Sequence, residues 1–338
     1  MIFFNKFNQN IIKKKLFNID LLKLRSHSFF KEMTKRNDIM YEKYNKYLTN
    51  SKIVTCLVCD KKNSEIFYKS KKYKLINCRK CFAVSANINH NKYNTKLYHE
   101  DNYKKKFIRK NIEKNFQYRS DTFGKERIEY IEEYTSIRKN KKIKILDYGC
   151  GFGSFLYALK KHRMNYLAKG LDFDLDSINF CKSKGLYVDN KNLEYENDNN
   201  YDLITLFDVI EHVNEPKKLI SNLINKLKVG GYIFFMTPNL NSISTMLMKD
   251  KHNMFSPFDH LCFYNLETFK FIAKRFDLKL IHYDYYGLDV KDYLQYIEST
   301  MKKKIKLNLI LNDFSIVMQN FIDSADYSNA FRIILQKK

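Results

Sequence analysis

The stretch Ile143–Tyr148, followed by Gly149-Cys150-Gly151-Phe152-Gly153 and a helical pattern from Ser154, restricts the fold more than any other part of the chain. A short apolar run breaks at three glycines within five residues and continues as an amphipathic segment. That is the first strand-turn-helix of an open α/β sheet. Glycine is required where a chain turns sharply or where backbone must approach a ligand with no Cβ in the way. In such sheets ligands sit beyond the carboxyl ends of the strands, beside strand one. A dinucleotide fingerprint would place its third glycine at position 154, which is Ser. The GxGxG spacing suits a cofactor without a pyrophosphate, whose amino-acid end tucks over the turn. Asp172 closes the second predicted strand, 19 residues after Gly153. An ionised carboxylate there can accept both hydroxyl hydrogens of a ribose. The plain alternative is a structural turn and a surface Asp.

Apolar runs alternate with amphipathic segments from Lys141 onward. Strands are predicted at 143–148, 167–173, 186–188, 203–209 and 232–236, with a closing pair at 279–283 and 332–335. Helices are predicted at 155–162, 177–184, 216–227 and 266–276. Pro216 suits a first helical turn, and Gly230-Gly231 is read as the stop of that helix. The fold class is therefore α/β, a Rossmann-like doubly wound sheet of seven strands spanning 141–338, with a helical insert at 286–326.

The first 140 residues follow different rules. Residues 1–50 form a basic extension, helical or disordered. Residues 51–90 carry Cys56-Leu57-Val58-Cys59 and Cys78-Arg79-Lys80-Cys81, separated by 18 residues. Two such knuckles present four thiolates to one tetrahedral ion, a zinc ribbon. With all four positions filled by Cys, no place is left for water, so the zinc is expected to be structural. Lys61, Lys62, Arg79 and Lys80 flank the thiolates and can offset their charge. Residues 91–140 look like a charged helical linker.

Charge is unevenly distributed. Residues 1–144 hold a net +22 of the chain's +24. This asymmetry suits an acidic partner: nucleic acid, a membrane surface or a phosphorylated substrate. The plain alternative is a solvated surface filled with lysine by coding bias. No run approaches 18 apolar residues, and the start lacks the apolar core of a signal peptide, so a cytoplasmic location is expected.

The motifs Ile145 to Phe155, Gly170-Leu171-Asp172, Phe207-Asp208-Val209-Ile210-Glu211-His212-Val213, Leu227-Lys228-Val229-Gly230-Gly231 and Thr237-Pro238-Asn239 resemble, in order, those of class I S-adenosylmethionine-dependent methyltransferases. The likeness is to the branch of quinone-biosynthesis and sugar or glycan methyltransferases, in which a small zinc module often precedes the catalytic domain. It covers about residues 141–283. The resemblance implies that Asp147, Gly149, Gly151 and Gly153 line the methionine end of S-adenosylmethionine and that Asp172 holds the ribose. Phe173 would flank the adenosine, and Asp208 would lie beside the methionine moiety. It also implies that Asp208, Glu211 and His212 are positions where the branch can hold a divalent metal. His260 matches another recurrent histidine. Tyr93, Tyr98 and Tyr103 match a Tyr-rich stretch that packs toward the substrate.

His212 follows the fourth strand near the switch point, where a neutral imidazole can take a proton from an acceptor. The alternative is that Glu211-His212 only caps the next helix and holds the loop. No Asn-Pro-Pro-aromatic motif follows that strand, which argues against methylation of an exocyclic base amine. The leading expectation is methyl transfer to a small or carrier-linked metabolite, a sugar, nucleotide-sugar or glycan intermediate, with a phosphate suiting the positive front half. One alternative is an RNA methyltransferase that grips the phosphate backbone with that half. Another is a non-enzymatic S-adenosylmethionine-binding adaptor. Asp289 and Asp292 in the insert carry no physical case for catalysis, and Cys150, Cys181 and Cys262 are expected to pack.

Overall fold

The computed structural model describes residues 19–50, 53–63, 65–90, 92–93, 111–138, 141–301 and 306–338. Much of the predicted extension and the positions Tyr98 and Tyr103 lie outside the described residues. The central element is a seven-stranded sheet in the order β12-β13-β10-β9-β6-β7-β8. Its strands are β6 (Ile143–Tyr148), β7 (Tyr166–Leu171), β8 (Val188–Asp189), β9 (Tyr201–Phe207), β10 (Leu227–Pro238), β12 (Leu278–Tyr286) and β13 (Ala330–Lys337). Only β13 runs against its neighbours. The parallel register sets Asp147 opposite both Gly170 and Thr205, and Phe207 opposite Met236, so the carboxyl ends of β6, β7, β9 and β10 share one rim.

Both faces of the sheet are covered, which is why its central strands are continuous apolar runs. Along β6, Ile143 and Ile145 pack to one side with Leu203, Phe234 and Ile334, under α3 (Lys125–Tyr134) and α4 (Ser154–His162). Leu146 faces the other way, with Ile204, Leu206 and Phe235, under α6 (Pro216–Lys226) and α8 (Leu266–Arg275). This is the two-residue alternation of a strand. The predicted linker is not a bridge. Its described part, α2 (Phe116–Arg119), a π turn (Ser120–Gly124) and α3, lies on the sheet, with Ile128, Tyr130 and Ile131 buried in the core. Gly230-Gly231 does not stop the preceding helix, which ends at Lys226. The chain enters β10 at Leu227, pairs with Tyr201, shifts register, and pairs again at Tyr232 with Leu203.

The cysteine module is not a separate unit. Short strands β1 (Val54–Thr55) and β2 (Lys62–Asn63) pair with each other. Strands β3 (Glu65–Lys69), β4 (Lys74–Asn77) and β5 (Val84–Ala86) form a second sheet, completed by β11 (Cys262–Phe263) from the far half of the chain. Helix α1 (Phe29–Tyr44) ties the N-terminal segment to the same region. Arg36 reaches Asp259 through two hydrogen bonds of 2.6 and 2.9 Å, with both side chains almost fully buried. In the insert, α9 (Asp289–Thr300), α10 (Leu307–Ile310) and α11 (Asn312–Ser324) follow β12. Asp289 accepts hydrogen bonds from Ser244 and from the Asn329 amide, and Asp292 pairs with Arg25, so both acids fasten the insert over the rim.

Removing one partner of a buried ion pair leaves the other charge uncompensated, at a cost of roughly 3–5 kcal/mol. Arg36→Met should therefore lower unfolding free energy by about that much in urea titration. Unchanged stability would mean that the Arg36–Asp259 pair does not hold the N-terminal helix in place.

Candidate cofactor cleft and zinc centre

The glycine turn lies at the rim, on the carboxyl end of β6. Gly149 donates to the Leu171 carbonyl at 2.8 Å, and Gly153 stands at the start of α4. Gly151 donates its amide to Asp172 Oδ2 at 2.7 Å, and Asp172 Oδ1 accepts the Asp174 amide at 2.9 Å. The strand-two carboxylate thus holds the loop, and its remaining lone pairs stay available to hydroxyl donors. A Cβ built at Gly151 would meet nothing within 4 Å, so the open side of the turn has room for a ligand. Phe173 is exposed beside it, its ring 6.5 Å from that of Tyr148. Below the turn, Asp147 is buried and accepts from Thr205 Oγ1 at 2.8 Å. Burial pushes its carboxyl up to about 6, while Thr205 and Arg127 pull the other way.

Asp208 follows β9 with φ 57°, a left-handed conformation uncommon outside glycine and best tolerated by Asn and Asp. The residue is exposed, and its surroundings still push its carboxyl up against the opposing pull of Arg127 and Arg119. Sequence reasoning missed both arginines. Arg127 lies 3.9 Å over the Phe207 ring, with Nη2 3.8 Å from Met236 Sδ, and it interacts electrostatically with Asp208 and Asp147. The only signal was two arginines eight residues apart in a segment rich in basic residues.

Across the cleft, Glu211 and His212 follow β9. Glu211 is fully buried. One oxygen accepts from Thr237 Oγ1 at 3.1 Å, and Oε1 has no hydrogen-bond partner. Burial and the Asp208 charge push its carboxyl well above the usual range. Neither side chain caps α6, but both hold the loop, Glu211 through Thr237 and His212 through the Asp259 carbonyl, which is the loop-holding half of the alternative. His212 Nδ1 donates to the Asp259 carbonyl at 2.7 Å, which leaves the lone pair of a neutral ring on Nε2, 3.8 Å from Glu211 Oε1. His260 is fixed in the same way, with Nδ1 donating to the Met254 carbonyl at 2.8 Å and its ring centre 4.9 Å from that of His212. Glu211, His212 and His260 place one ligand atom each within 4.8 Å of one another, so His260 rather than Asp208 completes the possible metal set. Tyr93 is buried and donates to the Phe258 carbonyl at 2.7 Å, so it serves the core and not the cleft.

The four knuckle thiols also converge. Cys56, Cys59, Cys78 and Cys81 are all buried, with sulfurs within 4.8 Å and nearest pairs of 3.5 Å (Cys56–Cys81) and 3.4 Å (Cys59–Cys78). Tetrahedral zinc-thiolate bonds of about 2.3 Å imply sulfur separations of roughly 3.8 Å. The donor set fits one zinc ion. The knuckles share one turn: the Asp60 amide donates to the Cys56 carbonyl at 3.0 Å and the Phe82 amide to the Cys78 carbonyl at 2.7 Å, with φ 61° at both Asp60 and Phe82. The flanking cations are partly diverted. Arg79 pairs with Glu65 at 3.1 Å, and Lys80 lies over the Phe271 ring.

The model of the family described as "Methyltransferase domain" matches residues 106–283, just over half of the chain. The chain belongs to this methyltransferase family. Among curated relatives, a ubiquinone biosynthesis O-methyltransferase of Hydrogenovibrio crunogenus is 32% identical over 131 residues, covering 36% of this chain and 52% of the relative. A protein of the same description from Coxiella burnetii is 30% identical over 124 residues, covering 34% and 50%. The chain thus spans about half the length of the curated relatives it matches. Among solved structures, a SAM-dependent methyltransferase from Archaeoglobus fulgidus aligns with a TM-score of 0.43 at 23% identity, over 64% of this chain and 94% of that one. No helix among the described residues is long and apolar enough to cross a membrane.

Metal analysis of the purified methyltransferase should find one tightly held zinc per chain, and Cys78→Ser should lose it together with several degrees of melting temperature. The knuckle cysteines share a core with Ile210 and Tyr264, so the loss should extend to the loop that carries Glu211. A Cys78→Ser protein that keeps its metal and its melting temperature would disprove the zinc assignment.

Proposed function

We propose that this methyltransferase transfers a methyl group from S-adenosylmethionine to a small or carrier-linked metabolite. The observation that carries this reading is the glycine turn held by Asp172, with the open side of Gly151 facing the cleft. Asp172 would hold the ribose through its remaining lone pairs, with Phe173 beside the adenosine. Ionised Asp147 would receive the ammonium of the methionine end. Gly149 and Gly153 shape the turn over it, and Asp208 lies alongside. The sulfonium supplies an electrophilic methyl, so the protein has to align an in-line attack and take up a proton. His212 is the base. The Asp259 carbonyl fixes its tautomer, and Nε2 carries the lone pair that takes the proton.

The finer reading of the acceptor is a sugar, nucleotide-sugar or glycan intermediate. An oxygen acceptor on an intermediate of ubiquinone biosynthesis is the second reading, favoured by the role named for the curated relatives. RNA is a third, favoured by the net +22 of residues 1–144. A divalent metal held by Glu211, His212 and His260 would fit the unpartnered Glu211 oxygen; it would occupy His212 Nε2 in place of the base role and would polarise an acceptor hydroxyl instead.

Labelled methyl transfer into cell extract, with and without RNase, separates these acceptors. Label in a low-mass or glycan fraction supports the metabolite reading, and label lost on RNase treatment overturns it. In calorimetry, Asp172→Ala should weaken S-adenosylmethionine at least tenfold, about 1.4 kcal/mol. Equal binding by both proteins would remove the basis of the reading. Because Asp147 must ionise to receive an ammonium, affinity should be full well above pH 6 and fall as pH drops through about 6. Thr205→Val removes a donor to the ionised form, so its midpoint should move to higher pH.

A further inference from the structure

The cleft is ringed by groups that sense one another. Arg119 interacts with Arg127, Arg25 and Asp208. Arg25 and His260 both act on buried His252, and His260 faces His212. Arg119 and Arg127 both act on Asp208, Glu211, His212 and His260 cluster after β9, and Arg25 is paired with Asp292. Within this group Arg119 makes no side-chain hydrogen bond or ion pair to any described residue: its Nε is shielded from solvent without a partner, while the side chain as a whole is half-buried. A half-buried guanidinium beside two others, with a shielded N–H unpaired, is suited to receive an anion. Burial and the neighbouring arginines pull its pKa down to about 10.

The backbone has been shaped to aim it. Eight residues along a regular α-helix would leave Arg119 and Arg127 roughly 80° out of phase. The wider π turn at Ser120–Gly124 lies between them and takes up that offset, so both sense Asp208. Such insertions recur at functional sites. The turn ends at Gly124, where a Cβ would come within 2.7 Å of Ala158 Cβ and 2.9 Å of the Ser154 carbonyl, so the turn is pressed against the helix that follows the glycine loop. The two arginines divide the cleft. Arg127 touches Phe207 and Met236 on the floor and senses Asp147, on the cofactor side. Arg119 is roughly 12 Å farther along the helix and senses Arg25.

We infer that Arg119 anchors an oxyanion carried by the acceptor, a phosphate ester or a carboxylate. This rests on the methyltransferase reading of the same cleft. An acceptor held at its anionic end by a guanidinium fork would present its nucleophile between the glycine loop and the His212 base.

The test uses the full chain, with S-adenosylhomocysteine bound, titrated with inorganic phosphate and separately with acetate. Thermal shift and calorimetry should detect at least one anion, and Arg119→Met should weaken it at least tenfold. Arg119→Lys, which keeps the charge and loses the fork, should fall between. Stronger phosphate binding identifies an ester, and stronger acetate binding a carboxylate. Arg127→Met should weaken S-adenosylhomocysteine instead. Two results would each overturn the inference: a tenfold loss of S-adenosylhomocysteine in Arg119→Met, or anion responses equal in wild type and Arg119→Met. If the wild type fails to bind S-adenosylhomocysteine, the methyltransferase reading falls, and the anion titration without it still decides Arg119.

Discussion

The pairing of β11 with β5 determines how the whole molecule is assembled. Two residues, Cys262 and Phe263, add a fourth strand to a sheet built by residues 65–86. Through that pairing the zinc knuckles, the loop before β11 and the methyltransferase sheet share one core. The Leu261 amide, just before the strand, donates to the Glu211 carbonyl at 2.8 Å. Asp259, two residues earlier, takes Arg36 through its carboxylate and His212 through its carbonyl. One short segment therefore joins the metal module, the N-terminal helix and the loop that carries Glu211 and His212.

This arrangement explains why a zinc module belongs on such an enzyme. Four buried thiolates around one ion give a rigid unit at little cost in chain length. A histidine that must keep one tautomer needs its carbonyl partner held still. The carbonyl belongs to Asp259, the side chain of Asp259 is locked by a buried arginine, and the strand after it is pinned to the ribbon sheet.

Much of the sheet was legible in the sequence because parallel strands buried on both faces are unbroken apolar runs, as in Ile143 to Leu146 and Leu203 to Leu206. The glycine turn, Asp172 and the CxxC pairs were legible because each depends on spacing within a few residues or between two short motifs. What sequence could not show depends on distant partners. Arg36 and Asp259 are 223 positions apart. A two-residue strand such as β11 has no periodicity to detect. Arg119 and Arg127 were hidden in a region whose Lys and Arg content masks any single basic residue, and the segment that carries them was read as a linker because its apolar face, Ile128 and Ile131, gives no hint of what it covers.

The π turn between α2 and α3 takes up one residue without turning the segment before it. A helix with one residue fewer would close into regular α-helical hydrogen bonding with Arg119 and Arg127 seven positions apart, about 20° out of phase, so the two would keep a common side of the helix. A single deletion there would change the spacing of the two guanidinium groups along the axis and leave the core contacts of α3 as they are.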